Sequence, residues 1–179
     1  MSEEDEKRKF DGDPSPWIPE TDRVKIAVLG KAIEEFSELM HVLAQYNSGI
    51  VPDAQDFTNL WHEIADVRCQ ISHVRKAFDL GLLYPSHHNI PVGTGYTMQV
   101  LAIATNVLGR TLIQGIDEVE PSTGVSNRRR LWQALSEVHH HLTVLTRDGF
   151  DLEAILERED YKFNYLQRWL DQLQFMPEQ

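Results

Sequence analysis

Acidic side chains recur at helical spacing in two neighbouring segments of the chain. The first segment carries Glu34, Glu35 and Glu38, and the second carries Glu63 and Asp66. At about 100° per residue, Glu35 and Glu38 point about 60° apart on a helix, and so do Glu63 and Asp66. Each pair therefore flanks the apolar stripe of its own helix, whereas Glu34 points towards solvent. If the two helices pack antiparallel, both pairs line one groove at the surface of a bundle.

Such a groove is unstable unless something neutralises it. Two carboxylates about 4–5 Å apart repel by about 3–4 kcal/mol at an effective dielectric constant near 20, and a whole domain is stable by only about 5–15 kcal/mol. Protons or cations must therefore relieve the repulsion. Oxygen ligands without His or Cys suit Mg²⁺ or Mn²⁺, which indicates metal-assisted hydrolysis of a phosphate ester or anhydride. The alternative is an ordinary solvated acidic face.

The two segments are predicted to be consecutive helices. The first runs from about residue 21 to 46 and ends at Asn47–Gly49 before Pro52. The second begins near Asp53 or Asp56 and ends at Gly81. Apolar residues recur every three or four positions in both. They are Val28, Ala32, Phe36, Leu39 and Leu43 in the first helix, and Phe57, Leu60, Trp61, Ile64, Val67, Ile71, Val74 and Phe78 in the second.

The remaining sequence also lacks the period-two alternation of strands. A loop at residues 83–96 precedes a helix at 98–116, which is expected to be buried on most sides because it is almost wholly apolar. After a loop at 117–126, Leu131, Leu135, Val138, Leu142 and Leu145 form a narrow helical seam. A last helix, capped by Asp151, carries Ile155, Leu166, Trp169, Leu170 and Leu173. The predicted fold is an all-α bundle of four or five helices.

The domain organisation follows from the same patterns. Residues 1–20 are charged and rich in proline, which predicts a flexible arm. Residues 21–179 are expected to form a single domain, with the acidic helices at about 21–80 and a helical C-terminal half at about 97–175. Trp17 and Ile18 are candidates for fastening the arm to the body of the domain or to a neighbouring subunit.

Composition excludes several function classes. With 17 basic and 28 acidic residues, the net charge of −11 argues against a nucleic acid partner. No apolar run reaches the about 18 residues of a membrane span, and the first residues are too charged for a signal peptide. The single cysteine, Cys69, rules out an internal disulfide framework and is read as a core residue. We expect a soluble, acidic, cytoplasmic protein.

Two further clusters have simpler interpretations. His139, His140 and His141 are adjacent, so on a helix they point about 100° apart and cannot chelate one ion together. The run Arg128–Arg130 precedes a helix and reads as a surface cluster, with a phosphate clamp in a neighbouring subunit as its functional alternative.

The acidic pattern resembles that of a known family. Glu34-Glu35-Phe36-Ser37-Glu38, followed after 24 residues by Glu63-Ile64-Ala65-Asp66, is similar to the EExxE…ExxD signature of the all-α NTP pyrophosphohydrolases. This superfamily includes the MazG-like enzymes, the dCTP pyrophosphatases and the dimeric dUTPases. Leu29-Gly30-Lys31 and Trp61 also fit, and the resemblance covers about residues 24–78.

The resemblance implies an enzyme that splits a nucleoside triphosphate into a monophosphate and pyrophosphate. Glu35, Glu38, Glu63 and Asp66 would be both the catalytic residues and the ligands of two or three Mg²⁺ ions, with Mn²⁺ as a substitute. The ions would activate a water for attack on the α-phosphorus. Either Glu38 or Glu35 would orient that water, and the role of Glu34 stays open.

Three further residues are candidates for substrate binding. Lys31 either contacts phosphates or pairs with Glu35 one turn away. Gln70 stands where some relatives carry an aromatic residue, so base stacking must come from elsewhere, such as Trp61 or Trp17, although Trp61 also suits the core.

The resemblance leaves the base open. We expect a preference for (d)GTP or for deoxynucleotides broadly, with dUTP or dCTP as the alternative within the superfamily. A non-enzymatic helical adaptor that binds a basic partner through the acidic groove is the other alternative. The expected assembly is a homodimer or a homotetramer. We expect neither a membrane nor a nucleic acid as a partner.

Overall fold

The computed structural model has five helices in the part of the chain that it describes. It describes residues 18–49, 54–84, 93–147 and 152–175, with the backbone alone at 54–59. The helices are α1 (Arg23–Asn47), α2 (Ala54–Ala77), α3 (Thr94–Gln114), α4 (Asn127–Arg147) and α5 (Leu152–Phe175). Extended pairing within these ranges is limited to an isolated bridge between Val119 and Ser126. The prediction of an all-α helical bundle is therefore confirmed.

Helix α1 has the boundaries and the buried face that its sequence predicts. The Asp22 side chain accepts hydrogen bonds from the amides of Val24 and Lys25 and so caps the helix. At the other end, Gly49 adopts a positive φ of 72° just after the last turn. The whole predicted stripe is buried, namely Val28, Ala32, Phe36, Leu39 and Leu43. This stripe fixes which side of α1 carries Glu35.

Helix α2 buries its predicted stripe from Leu60 onwards, except that Trp61 is only partly buried, and the Phe57 side chain lies outside the described residues. The helix ends one turn earlier than Gly81. The chain leaves the helix after Ala77, and the two positive φ values that follow are at Asp79 (49°) and Gly81 (69°). Arg75 and Lys76 lie in the last turn, where positive charge complements the helix dipole. The buried apolar residues include Leu60, Ile64, Val67, Ile71, Val74 and Phe78.

Helix α3 differs from its sequence-based description. It begins at Thr94, inside the predicted loop, and only one side of it is buried. Ile103 and Ile113 are 59% and 60% exposed. The prediction of burial on most sides was wrong, because an apolar composition does not reveal how many neighbours a helix has. In this bundle α3 has two neighbours, α1 and α4.

Helices α1 to α4 form a bundle in which neighbours run antiparallel. The ammonium group of Lys25 lies over the Phe78 ring, which places the start of α1 beside the end of α2 and shows that they run in opposite directions. Helix α1 also packs on α3, α3 packs on α4, and α4 touches α2. Each helix therefore contributes one apolar face to a shared core.

Helix α5 lies outside this bundle, against α2 and, less extensively, α1. It runs parallel to α2, since Asp66 pairs with Arg158 and Lys76 with Gln167 further along both helices. Only Ile155, Leu166 and Leu170 are buried on it, and Trp169, expected in its apolar stripe, is 40% exposed. Polar contacts therefore do much of the docking, including an ion pair of Arg68 with Glu159 at 2.8 Å.

The chain before α1 approaches the bundle closely at one point. The amide of Glu20 donates to the carbonyl of Leu112 at 3.1 Å. Gly115 has a φ of +87°, and a Cβ atom there would lie 2.4 Å from the carbonyl oxygen of Ile18. A glycine is needed at this position for both reasons. Residues 1–17 of the predicted arm, with Trp17, and the predicted cap Asp151 lie outside the described residues.

None of the helices in the described ranges is both long and apolar enough to cross a lipid bilayer.

Candidate metal centre

Three carboxylates meet where α1 crosses the middle of α2. Glu35 comes from α1, and Glu63 and Asp66 come from α2. One oxygen atom from each lies within 4.8 Å of the others. Glu35 and Asp66 are only 2% and 4% exposed, and Glu63 is half-buried. The antiparallel packing inferred from the sequence thus brings both acidic pairs to one place.

Glu38 lies at the rim of this group. It is exposed, and it shares a hydrogen bond with the Glu35 carboxyl group. Partial burial, followed by the charge of Glu35 and this hydrogen bond, raises the pKa of Glu38 above its ordinary value. We call Glu35, Glu38, Glu63 and Asp66 the acidic cluster. Glu34 faces solvent, as its position on the helix predicts.

Basic side chains on α5 contact the cluster directly. Arg158 donates two hydrogen bonds to Asp66, from Nε to Oδ1 and from a terminal nitrogen to Oδ2, each 3.1 Å long. The ammonium group of Lys162 lies 2.6 Å from Asp66 Oδ2 and 4.0 Å from Glu35 Oε1. The hydrogen bonds to Asp66 raise the pKa of Arg158 further. Both oxygens of Asp66 are therefore engaged by cations.

Lys31 neutralises the α1 side of the cluster. Its ammonium group lies 2.9 Å from Glu35 Oε1 and 2.9 Å from Glu34 Oε1. Partial burial alone would lower the pKa of Lys31, but its hydrogen bonds to Glu35 and Glu34 outweigh that effect and raise it. Of the two roles open for Lys31 in the sequence, pairing with Glu35 is the one the structure contains. We call Lys31, Arg158 and Lys162 the basic set.

The basic set corrects the sequence-based view of an open surface groove. That view named protons or cations, with Lys31 as one candidate partner of Glu35, but it gave no role to Arg158 and Lys162, which also contribute. Arg158 is 92 residues from Asp66 in the chain, so no local pattern predicts their contact. The available signal was weak: Arg158 and Lys162 share a helix face with Ile155, a face that must pack against something.

The charges do not balance, and Glu63 is where the excess lies. The acidic cluster has four carboxylates and the basic set has three cations. Burial, followed by the charges of Glu38, Asp66 and Glu35, raises the pKa of Glu63 from 4.5 to about 7. Its Oε2 atom is buried and has no hydrogen-bond partner among the described residues. A proton or a cation is therefore still needed at Glu63.

The donor set fits a hard divalent ion. All the converging atoms are carboxylate oxygens, the ligands that Mg²⁺ and Mn²⁺ prefer. The group contains no His or Cys, the residues on which Zn²⁺ sites are usually built. The unpartnered Glu63 oxygen gives such an ion a ligand that nothing else engages. The structure thus contains a largely buried group of three carboxylates, from Glu35, Glu63 and Asp66, that could bind a metal ion.

The remaining candidate residues lie at different depths. Gln70 is 3% exposed, one turn beyond Asp66 on α2, and its Oε1 atom has no partner among the described residues. Trp61 is partly buried and packs against the apolar core. Cys69 is fully buried, and burial raises the pKa of its thiol to about 12, which is consistent with a core residue.

Comparison of the chain with protein-family models, with curated proteins and with solved structures gives no match. The functional assignment therefore depends on the chemistry of the cluster and on the sequence resemblance.

Proposed function

We propose that the protein is a Mg²⁺-dependent nucleoside triphosphate pyrophosphohydrolase that converts a (d)NTP and water into a (d)NMP and pyrophosphate, and so controls a nucleotide pool. The observation that carries the proposal is the buried convergence of Glu35, Glu63 and Asp66, with one Glu63 oxygen unpartnered. These residues belong to the two motifs that resemble the all-α NTP pyrophosphohydrolases.

Each part of the site has a role in this reaction. The acidic cluster would hold two or three Mg²⁺ ions, or Mn²⁺ in their place. When bound, these ions supply a water of lowered pKa and neutralise charge on the phosphates. Arg158 and Lys162, which lie against Asp66, would bind phosphate oxygens, for which a guanidinium and an ammonium group are well suited.

The charge balance favours a polyanionic substrate. The acidic cluster exceeds the basic set by one negative charge, so two divalent ions would leave the site strongly positive. A polyphosphate restores neutrality, whereas a neutral substrate does not. We therefore expect the ions and the nucleotide to strengthen each other's binding.

In this proposal the acidic cluster contacts the phosphates and not the base, so it does not narrow the base preference inferred from the sequence. We favour (d)GTP or deoxynucleotides generally, and dUTP or dCTP is the alternative. An adaptor that binds a basic partner in the acidic groove is less well supported, because Arg158 and Lys162 of the same chain already fill that role.

We also propose a cytoplasmic homodimer or homotetramer. The exposed side of α3 supports self-association, since Tyr96, Ile103 and Ile113 lie open on a helix whose single charged residue is Arg110. Two copies of a protein of net charge −11 approach most easily through an uncharged face. Light scattering coupled to size exclusion measures the mass in solution.

The activity is tested with the four NTPs and the four dNTPs, each with Mg²⁺, by measuring pyrophosphate release. We expect turnover of at least one of them, and loss of at least about 100-fold in Asp66→Asn, which removes one charge at the centre of the site. Glu34→Gln is the matched control, because Glu34 is exposed and should retain activity. Inactivity with all eight nucleotides, together with no binding of Mn²⁺, would reduce the cluster to a structural ion-pair network.

A further inference from the structure

A pocket of about 550 Å³ opens about two helical turns along α2 from the acidic cluster. Its walls are the start of α1 with the two residues before it (residues 21–28), the last turns of α2 (residues 73–77) and the second half of α5 (residues 167–174). The same three helices form the metal centre. The volume is within the about 300–1,000 Å³ of typical small-molecule sites.

His73 lines this pocket and lacks one hydrogen bond. The residue is 2% exposed, its ring stacks on Phe163 with centroids 4.3 Å apart, and it donates to the backbone carbonyl of Phe163. Burial and the charge of Lys76 lower the pKa of His73 to about 4, so the ring is neutral. Its Nε2 atom is then an acceptor, and it has no partner among the described residues. Such an unsatisfied buried acceptor calls for a ligand that donates a hydrogen bond.

A second unsatisfied acceptor lies between the pocket and the cluster. Gln70 is four residues after Asp66 and three before His73, so all three share one face of α2. Gln70 is 3% exposed, and its Oε1 atom also lacks a partner in the described part of the chain. From Asp66 to His73 the helix rises about 10 Å, at 1.5 Å per residue. Gln70 Oε1 is thus a buried acceptor at a level of α2 between Asp66 and the pocket residue His73.

Helix α1 spans the same distance between the pocket and the acidic cluster as α2 does. Val28 lines the pocket and lies seven residues before Glu35, which places both on one face of α1. Leu170 and Leu173 of α5 add apolar surface, and Arg23 and Lys76 add positive charge. The one acidic lining residue, Asp22, already accepts two backbone hydrogen bonds as the cap of α1. The lining suits a planar polar ring that is attached to an anion.

We propose that this pocket binds the nucleoside part of the substrate, with His73 Nε2 accepting a hydrogen bond from a base N–H group and Gln70 Oε1 accepting one from the sugar. Uncharged acceptors facing N–H and O–H donors on an apolar floor are the chemistry by which a base and a sugar are held. This proposal rests on the proposed function for one point, which is that the phosphates lie at the acidic cluster.

The test compares two ligands that differ only in the nucleoside. Calorimetry measures the binding of inorganic triphosphate and of non-hydrolysable analogues of the four dNTPs, each with Mg²⁺. In His73→Asn the amide nitrogen can still donate to the Phe163 carbonyl, but the Nε2 acceptor is lost. We expect nucleotide affinity to fall about tenfold, as for one hydrogen bond in a buried site, while the affinity for inorganic triphosphate stays unchanged.

His141→Asn is the matched control. His141 is fully buried, and its Nε2 atom also lacks a partner among the described residues, but it lies between α3 and α4. This variant should lose similar stability and keep its full nucleotide affinity. If His73→Asn does not fold, Gln70→Met, which keeps the size of the side chain, should show the same selective loss.

The outcomes separate this proposal from the proposed function. Unchanged nucleotide binding in His73→Asn and Gln70→Met would overturn the nucleoside pocket, even if pyrophosphate is released. Equal losses for nucleotide and inorganic triphosphate would overturn it too, because the variants would then have damaged the phosphate site. A selective loss in a protein that neither hydrolyses NTPs nor binds Mn²⁺ would support the pocket and reject the pyrophosphohydrolase.

Discussion

Replacing Glu63 by Gln should have opposite effects on the protein with and without a divalent ion. Glu63 carries the excess negative charge of the acidic cluster, and its neighbours raise its pKa from 4.5 to about 7. At pH 8 the native state must ionise this group against its neighbours, whereas the unfolded chain ionises it freely. Glutamine has the shape of the protonated acid and avoids that cost.

The magnitude follows from the pKa. The difference between 4.5 and about 7 corresponds to at most about 3 kcal/mol, and solvent screening of this half-buried residue reduces it to about 1–2 kcal/mol. For a chain of this size, Glu63→Gln should raise the melting temperature at pH 8 by about 2–8 °C. The wild type loses this stability as the pH rises from 4.5 to 7, and the glutamine variant does not. At pH 4.5 and below, the gain should vanish.

Adding Mn²⁺ reverses the comparison. At a hundred times its dissociation constant, an ion that binds only the native state stabilises it by about 2.7 kcal/mol, or about 5–10 °C here. The wild type should show this increase and Glu63→Gln should not, while Glu34→Gln, on the exposed side of α1, should keep it. Differential scanning calorimetry at two pH values measures both effects. A variant that is less stable than the wild type without metal, or that keeps the full Mn²⁺ increase, would refute the assignment of the excess charge to Glu63.

Three further predictions concern α5, the pocket and the contact between Gly115 and the backbone of Ile18. Lys162→Met removes the cation 2.6 Å from Asp66, so Mn²⁺, measured by paramagnetic relaxation, should bind several-fold more tightly while kcat falls. As pH drops from 6.5 to about 4, the unfolded chain protonates His73 and the native state does not, so denaturant titrations should show wild-type stability falling by about 2–3 kcal/mol more than that of His73→Asn. Gly115→Ala, at a φ of +87° and against Ile18, should cost at least about 1 kcal/mol, whereas Gly109→Ala, in open space within α3, should gain about 0.5–1 kcal/mol.

Much of the fold is local in origin and was predictable for that reason. The stripe from Val28 to Leu43 sets the buried side of α1, and Asp22 and Gly49 set its ends. A period of 3.6 residues places Glu35 and Asp66 on the facing sides of α1 and α2, and the register of the antiparallel pair brings them together. Helix α3 shows the limit of this reasoning, since its composition predicted more burial than its two neighbours provide.

The sequence by itself determined the helices, their apolar faces and the side of α1 and α2 on which the four carboxylates lie. Only the tertiary structure decided that α5 lies over them, that Arg158 and Lys162 share their charge, and that a pocket with His73 opens about two helical turns along α2 from them. The physical reason is range. Backbone hydrogen bonds and apolar periodicity act within a few residues and are written in the local pattern, whereas the docking of an amphipathic helix depends on a partner surface about ninety positions away.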